Sequence, residues 1–267
     1  MIEQKSLSRR SFLAGAGIVT GAAVVAAGTS LIKPKSAEAA FTNLPWTYAT
    51  LDLATVKRRG YDRYGSNGGC MAGTAIALIE SLIEASAGAA WESIPWEMLK
   101  YGRGGIAGSW GTLCGSLNGA SLVIQACAPN VTVAGNLINA LYDWYCGFNF
   151  PSTDHDAYAT GYENQTRTIC NSPLCHASVS KWCNVTGSKV TDSARSKRCA
   201  KVAGDVAGKT ADLLNNYFAS AAIPAFTQPD ASCASCHLGG NAQHWVQMKS
   251  TCTTMCHTAE RNPCTKP

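Results

Sequence analysis

The chain has 267 residues, 46% hydrophobic and 15% charged, enough for one large domain or two smaller ones around a sizeable core. Its formal charge is +5, but three of those charges belong to residues 1–39, where Lys5, Arg9, Arg10, Lys33 and Lys35 face Glu3 and Glu38, so the remainder is near +2. That balance gives no basis for nucleic-acid binding, and thirteen cysteines are too many for an ordinary cytosolic enzyme.

The N-terminus reads as a targeting segment. Ser8-Arg9-Arg10-Ser11-Phe12-Leu13 is a twin-arginine pattern, followed by a Gly/Ala/Val run to Ile32 and an A-x-A site at Ala37-Glu38-Ala39. The alternative is an uncleaved anchor, since Phe12 to Ile32 is 21 residues, but its glycines weaken its hydrophobicity. A cleaved signal peptide over residues 1–39 places the mature chain in the periplasm, with no membrane attachment. The twin-arginine route carries folded proteins, and haem c is attached after export. A folded cargo therefore implies a further cofactor inserted beforehand, for which an iron–sulfur cluster is the leading candidate.

Ala40 to Arg59 is an entry segment with a turn at Pro45-Trp46. Residues 60–69 are turn-rich and lead into Cys70. From Met71 to Ala87 the residues Ile76, Ile79 and Ile83, with Leu78 and Leu82, recur at helical spacing. Cys70 then starts a helix, where the macrodipole favours a thiolate, although a plain buried cysteine fits the position equally well. Gly102 to Gly119 holds seven glycines in eighteen residues and frames Cys114. It is neither a P-loop nor a dinucleotide fingerprint, because no G-K-[ST] follows and no strand precedes. Helices are predicted from Ala120 to Cys127, Val133 to Cys146, Thr153 to Arg167 (with His155 near its start) and Ser193 to Phe218 (with Cys199). No alternating strand pattern stands out. Pro224 and Pro229 flank a short linker. The prediction is an all-α domain with Gly-rich loops over residues 40–224, followed by a short, largely irregular segment over 225–267.

That segment carries the clearest chemistry. Cys233-Ala-Ser-Cys236-His237 is a C-x-x-C-H haem-attachment pattern: two cysteines for thioethers and a histidine as proximal ligand. Cys252-Thr-Thr-Met-Cys256-His257 has one residue more between its cysteines, and positions four apart still share a helix face. It reads as a second, variant haem site. A zinc ribbon would need C-x-x-C twice, which the second segment breaks. Two haem c groups per chain need two distal ligands. His155, His176 and His244 remain, with Met71, Met98, Met248 and Met255 as weaker options. His244 and His176 are favoured over His155. The distal pair stays open between these residues.

Nine cysteines lie outside the haem motifs: Cys70, Cys114, Cys127, Cys146, Cys170, Cys175, Cys183, Cys199 and Cys264. Four thiolates are the usual complement of an iron–sulfur cluster, and disulfides are the alternative that the compartment permits. Cys170–Cys183 and Cys127–Cys146 are candidate bridges, with Cys264 as the odd thiol. No hydrolase triad or paired-carboxylate motif is present.

The segments Gly69-Cys70-Met71-Ala72-Gly73, Gly104-Gly105-Ile106-Ala107-Gly108, Cys114-Gly115-Ser116-Leu117-Asn118-Gly119, Pro173-Leu174-Cys175 and Arg198-Cys199 resemble, in this order, the redox proteins named for a C-G-A-x-x-G motif and four constant cysteines. Here Ser116 stands in place of the alanine, a change between small residues that reads as harmless. Matched residue to residue, the resemblance implies Cys70, Cys114, Cys175 and Cys199 as candidate iron–sulfur ligands. With the leader and the haem segments, roughly residues 60–257 are similar to the split-Soret cytochromes c. That resemblance implies a homodimeric, bis-histidine, dihaem electron carrier with a non-haem iron centre, serving redox partner proteins rather than catalysing a reaction. The second haem motif departs from the C-x-x-C-H expected there. A periplasmic haem reductase of a small oxyanion, or a thiol or iron–sulfur redox module with a single haem, are the alternatives.

Overall fold

The computed structural model describes residues 43–104 and 110–227. The leader and its cleavage site, Cys264, and the haem-segment residues Cys233, Cys236, His237, His244, Cys252, Cys256 and His257 lie outside the described residues.

The first helix, α1 (Leu53–Ser66), starts where the Asp52 carboxylate accepts from Thr55 N at 2.8 Å. Next comes α2 (Cys70–Glu84), preceded by Gly69 at φ +110°, a backbone angle that only glycine adopts freely. Its Ala, Ile and Leu residues are apolar on every side, and that pattern belongs to a helix surrounded by others. Accordingly α2 is enclosed by α1, by α3 (Gly115–Cys127) and by α6 (Ser193–Ser220). Two 3-10 turns, Ala89–Ser93 and Trp96–Gly102, carry the chain from α2 to the Gly-rich segment. After α3, the Asn130 side chain accepts from Val133 N at 3.0 Å and opens α4 (Val131–Gly147). Last before α6 is α5 (Cys175–Thr186), closed by Gly187 at φ +71°.

The fold is all-α, as the sequence predicts. The long helix α6 has 28 residues and so runs for about 42 Å. It crosses α1 with the backbones nearly touching: a Cβ on Gly60 would stand 2.7 Å from the Cα of Gly204. The core fills the space between these helices with Val56, Met71, Ile76, Leu117, Ile124, Leu137, Leu141, Val206 and Leu214, all buried.

Three expectations need correction. Thr153 to Arg167 is not a helix: a 3-10 turn (Thr153–His155) gives way to irregular chain, with Asn164 at φ +51°. Its polar sequence has no apolar stripe to bury, so side chains anchor it instead. Buried Asp205 on α6 accepts from Ser152 N and from His155 Nε2, both at 2.9 Å. Lys201 Nζ, also buried, donates to Asp156 Oδ1 at 2.6 Å and to Tyr162 O at 2.7 Å. Second, short strands exist: β1 (Asn149–Phe150) pairs antiparallel with β2 (Thr168–Ile169) and closes the irregular loop. Third, the glycine-rich stretch ends earlier than predicted, because α3 already begins at Gly115.

Candidate redox centre

Cys70, Cys114, Cys175 and Cys199, spread over 130 positions of sequence, are brought into one neighbourhood. Cys70 is the first residue of α2, Cys114 immediately precedes α3, and Cys175 is the first residue of α5. Three of the four thiols thus sit at the positive ends of helices, where a thiolate is favoured. Cys199 lies in the second turn of α6.

Backbone contacts fix this convergence. Leu113 and Leu174 form an isolated antiparallel bridge; Cys114 N donates to Pro173 O at 2.8 Å and Cys175 N to Thr112 O at 3.0 Å. The two cysteine-bearing helix starts are therefore held side by side. Gly115 lets α2 come in against them. A Cβ there would stand 2.2 Å from Gly102 O and 2.4 Å from Cys70 Sγ, so any larger residue would push Cys70 away from Cys114.

The thiols feel one another. A hydrogen bond from the Cys70 thiol is the main influence on Cys114 and holds it well below the ordinary thiol range, against the opposing effect of burial. The same contact, with burial, holds Cys70 well above it. Cys175 is pushed up to about 12, first by burial and then by the charges of Cys114 and Cys199. Arg198 is buried nearby and its Nη2 donates to Ser178 Oγ at 2.9 Å, while its Nε has no partner. No ion pair is formed between Arg198 and a carboxylate among the described residues; the acidic groups whose charge it does offset include the thiols of Cys170, Cys175 and Cys183 and the phenol of Tyr145. A buried guanidinium in this position favours negative charge on those sulfurs.

Six buried side-chain N and O atoms lack a hydrogen-bond partner among the described residues, and four of them belong to Thr112, Ser116, Tyr145 and Arg198 around these cysteines. Buried donors left without acceptors beside these cysteines fit a group that brings sulfur acceptors, as an iron–sulfur centre would. Among the described residues no three His, Cys, Asp or Glu side chains close around a single ion.

The other candidates are placed as follows. His176 is exposed at the start of α5, its ring lying over Gly111, where a Cβ would meet Nδ1 at 3.1 Å. It is open to solvent beside the cysteine site. His155 is fully buried and both its nitrogens are engaged, Nδ1 with Tyr158 OH at 2.7 Å and Nε2 with Asp205. It is closed to a haem. Of the weaker options, Met71 is buried and Met98 is exposed.

All eight described cysteines are free, so the candidate bridges Cys127–Cys146 and Cys170–Cys183 are absent. Cys127 ends α3, just before α4, whereas Cys146 lies at the far end of α4, about 22 Å along its axis, well beyond disulfide reach. Cys183 faces Arg195 and Cys199, while Cys170 faces Ser172 and Tyr145. Sequence reading missed Tyr145 and Arg198. A signal for Arg198 existed: Arg198, Lys201 and Asp205 fall on the same helical stripe as Val202 and Val206.

Comparison with known proteins accords with this geometry. Residues 70–213 match the family described as "Putative redox-active protein (C_GCAxxG_C_C)". The chain is also 31% identical over 220 residues to the split-Soret cytochrome c of Desulfovibrio desulfuricans, covering 80% of this chain and 77% of that one. The chain belongs to the split-Soret cytochrome c family. Residues 70–213 carry its redox-active family match, and the protein is an electron-transfer redox protein. A solved structure, described as showing a novel iron centre in the split-Soret cytochrome c from the same organism, superposes with a TM-score of 0.72 at 28% identity, over 80% of this chain and 90% of that one. No helix among the described residues is long and apolar enough to cross a membrane.

Proposed function

We propose that this chain is a periplasmic electron carrier with two c-type haems and an iron–sulfur centre, and that it passes electrons to redox partner proteins rather than turning over a substrate. Cys70, Cys114, Cys175 and Cys199 would hold the centre. Cys233, Cys236, Cys252 and Cys256 would attach the haems, with His237 and His257 as proximal ligands and His176 and His244 as distal ones. Bound in these places, haem and cluster supply one-electron couples.

The observation that carries the reading is the convergence of three helix-start thiols on one another, with buried Arg198, which pairs with no carboxylate among the described residues, bearing on Cys175. The helix termini and Arg198 offset the negative charge that four thiolates bring. Gly115 keeps Cys70 close to Cys114, and the Leu113–Leu174 bridge fixes the separation of Cys114 and Cys175. His176 presents an unhindered imidazole on the outer side of this site, which suits a distal ligand linking haem and cluster. The relative whose structure contains an iron centre supports the same assignment.

Export supports the order of assembly. The centre is inserted before the folded chain leaves through the twin-arginine route, and the haems are added afterwards. Residues 230–267 are only 38 in number, too few to enclose two haems, so the haem segment would lean on a second copy of the chain in a homodimer.

Iron and haem quantitation on the holoprotein tests the reading. Iron in excess of haem, lost in the Cys114→Ser variant while haem is kept, is the expected result. Iron equal to haem would overturn the cluster, and a colourless product from a host competent in cytochrome maturation would overturn the whole assignment.

A further inference from the structure

We propose that Cys146 and Cys170 form a disulfide site, closed after export by a disulfide-bearing oxidant, and that the bridge ties the end of α4 to the segment leading into Cys175. The inference rests on the export reading for its oxidant and is independent of the iron–sulfur assignment.

Backbone pairing brings the two cysteines together at the base of a loop. β1 and β2 set Asn149 opposite Ile169 and Phe150 opposite Thr168. The pairing runs on past the strands, because Asn171 N donates to Cys146 O at 3.0 Å. Beside it, the Cys170 sulfur lies 3.8 Å from Tyr145 O. That oxygen belongs to the peptide unit that leads into Cys146 and stands about 2.8 Å from the Cys146 Cα. The Cys170 sulfur is therefore within about 7 Å of that Cα. Rotation of the two side chains about χ1 can close such a gap to a disulfide.

The surroundings favour the bridge. Cys146 is half-buried and Cys170 buried, so an incoming oxidant reaches Cys146 first. Burial pushes both thiols up, Cys146 to about 12, with the charge of Cys170 as the next cause there. A pair that gains little as thiolates is hard to reduce once it is bridged. The loop in question also has no apolar stripe of its own and is anchored by side-chain hydrogen bonds such as those of Asp205 and Lys201. A covalent clasp at its base restricts the unfolded chain far more than the folded one.

The chemistry is thiol–disulfide exchange. Cys146 gives up its thiol proton and attacks the S–S bond of the oxidant, releasing one thiol. Cys170 then gives up its proton and attacks the Cys146 sulfur, releasing the second thiol. The chain loses two electrons and two protons, and the oxidant gains both.

The test maps thiols on the full-length protein, as isolated from an exporting host and again after incubation with oxidised glutathione. Alkylation in denaturant without reductant is followed by trypsin, which cuts after Arg167 and so parts Cys146 from Cys170. Chymotrypsin then separates Cys146 from Cys114 and Cys127. The expected product is a linked Cys146–Cys170 peptide, two hydrogens lighter than its separate halves, with neither thiol alkylated. In Cys146→Ser the linked peptide should be lost and Cys170 alkylated, with iron and haem contents unchanged. Haem-bearing protein in which both thiols are alkylated even after oxidised glutathione overturns the inference and leaves export standing. Glutathione retained on Cys146 overturns it equally. A haem-free isolate that bridges only with oxidised glutathione upholds the site and removes the export reading.

Discussion

Cys127 and Cys114 are both buried, yet their surroundings drive them in opposite directions. Burial with no charged partner pushes the Cys127 thiol up to about 12, whereas the Cys70 contact pulls Cys114 down. For Cys127 the consequence is a pH dependence of stability. An unfolded chain releases this proton near the ordinary thiol value of about 9, while the folded chain keeps it. Below pH 9 the contribution is complete; it is lost as pH rises from about 9 to about 12, because the unfolded state then binds fewer protons. Urea denaturation at stepped pH should show falling stability over that window, with a shallower slope in Cys127→Ala. An equal slope in the two proteins would contradict it. At this scale the sequence was a partial guide. It pointed to Cys70 as a helix-start thiol but not to the burial of Arg198, which depends on neighbours remote in sequence.

Helix crossings decide the next level. Where α1 crosses α6, glycines on both sides remove the side chains that would hold them apart. A Cβ on Gly204 would stand 2.5 Å from Lys57 O and 2.6 Å from His155 Cε1, the second contact falling on the ring that anchors the loop after β1. Gly204→Ala should therefore cost about 1–3 kcal/mol in chemical denaturation by overpacking. A Cβ on Gly135, within α4, would meet nothing within 4 Å, and Gly135→Ala should instead gain about 0.5–1 kcal/mol from helix propensity. Equal effects at the two sites would show that the crossing is not close-packed. Four of the helices were legible from apolar spacing. The segment after Pro151 was not, because its order comes from Asp205 and Lys201 of a distant helix and not from its own sequence.

For the molecule as a whole, assembly follows from size. A haem segment of 38 residues cannot bury two porphyrins by itself. Sedimentation of the haem-loaded protein should therefore give a dimer, and removal of residues 228–267 should leave the helical unit monomeric. A haem-loaded monomer would refute the proposed homodimer.

Attachment chemistry is local, since two cysteines and a histidine within five positions suffice, and so the proposed haem site at Cys233-Ala-Ser-Cys236-His237 is a reading of the linear chain alone. The apolar run that makes α2 central was legible in the same way, and the proposed twin-arginine leader rests on the linear chain alone. Nothing in the spacing of Cys70, Cys114, Cys175 and Cys199 makes them neighbours; without the family resemblance they are four of nine unassigned thiols. Their meeting is decided by tertiary contacts, namely the Leu113–Leu174 bridge and the approach that Gly115 allows. Distances between remote segments depend on packing, and packing is a property of the folded whole.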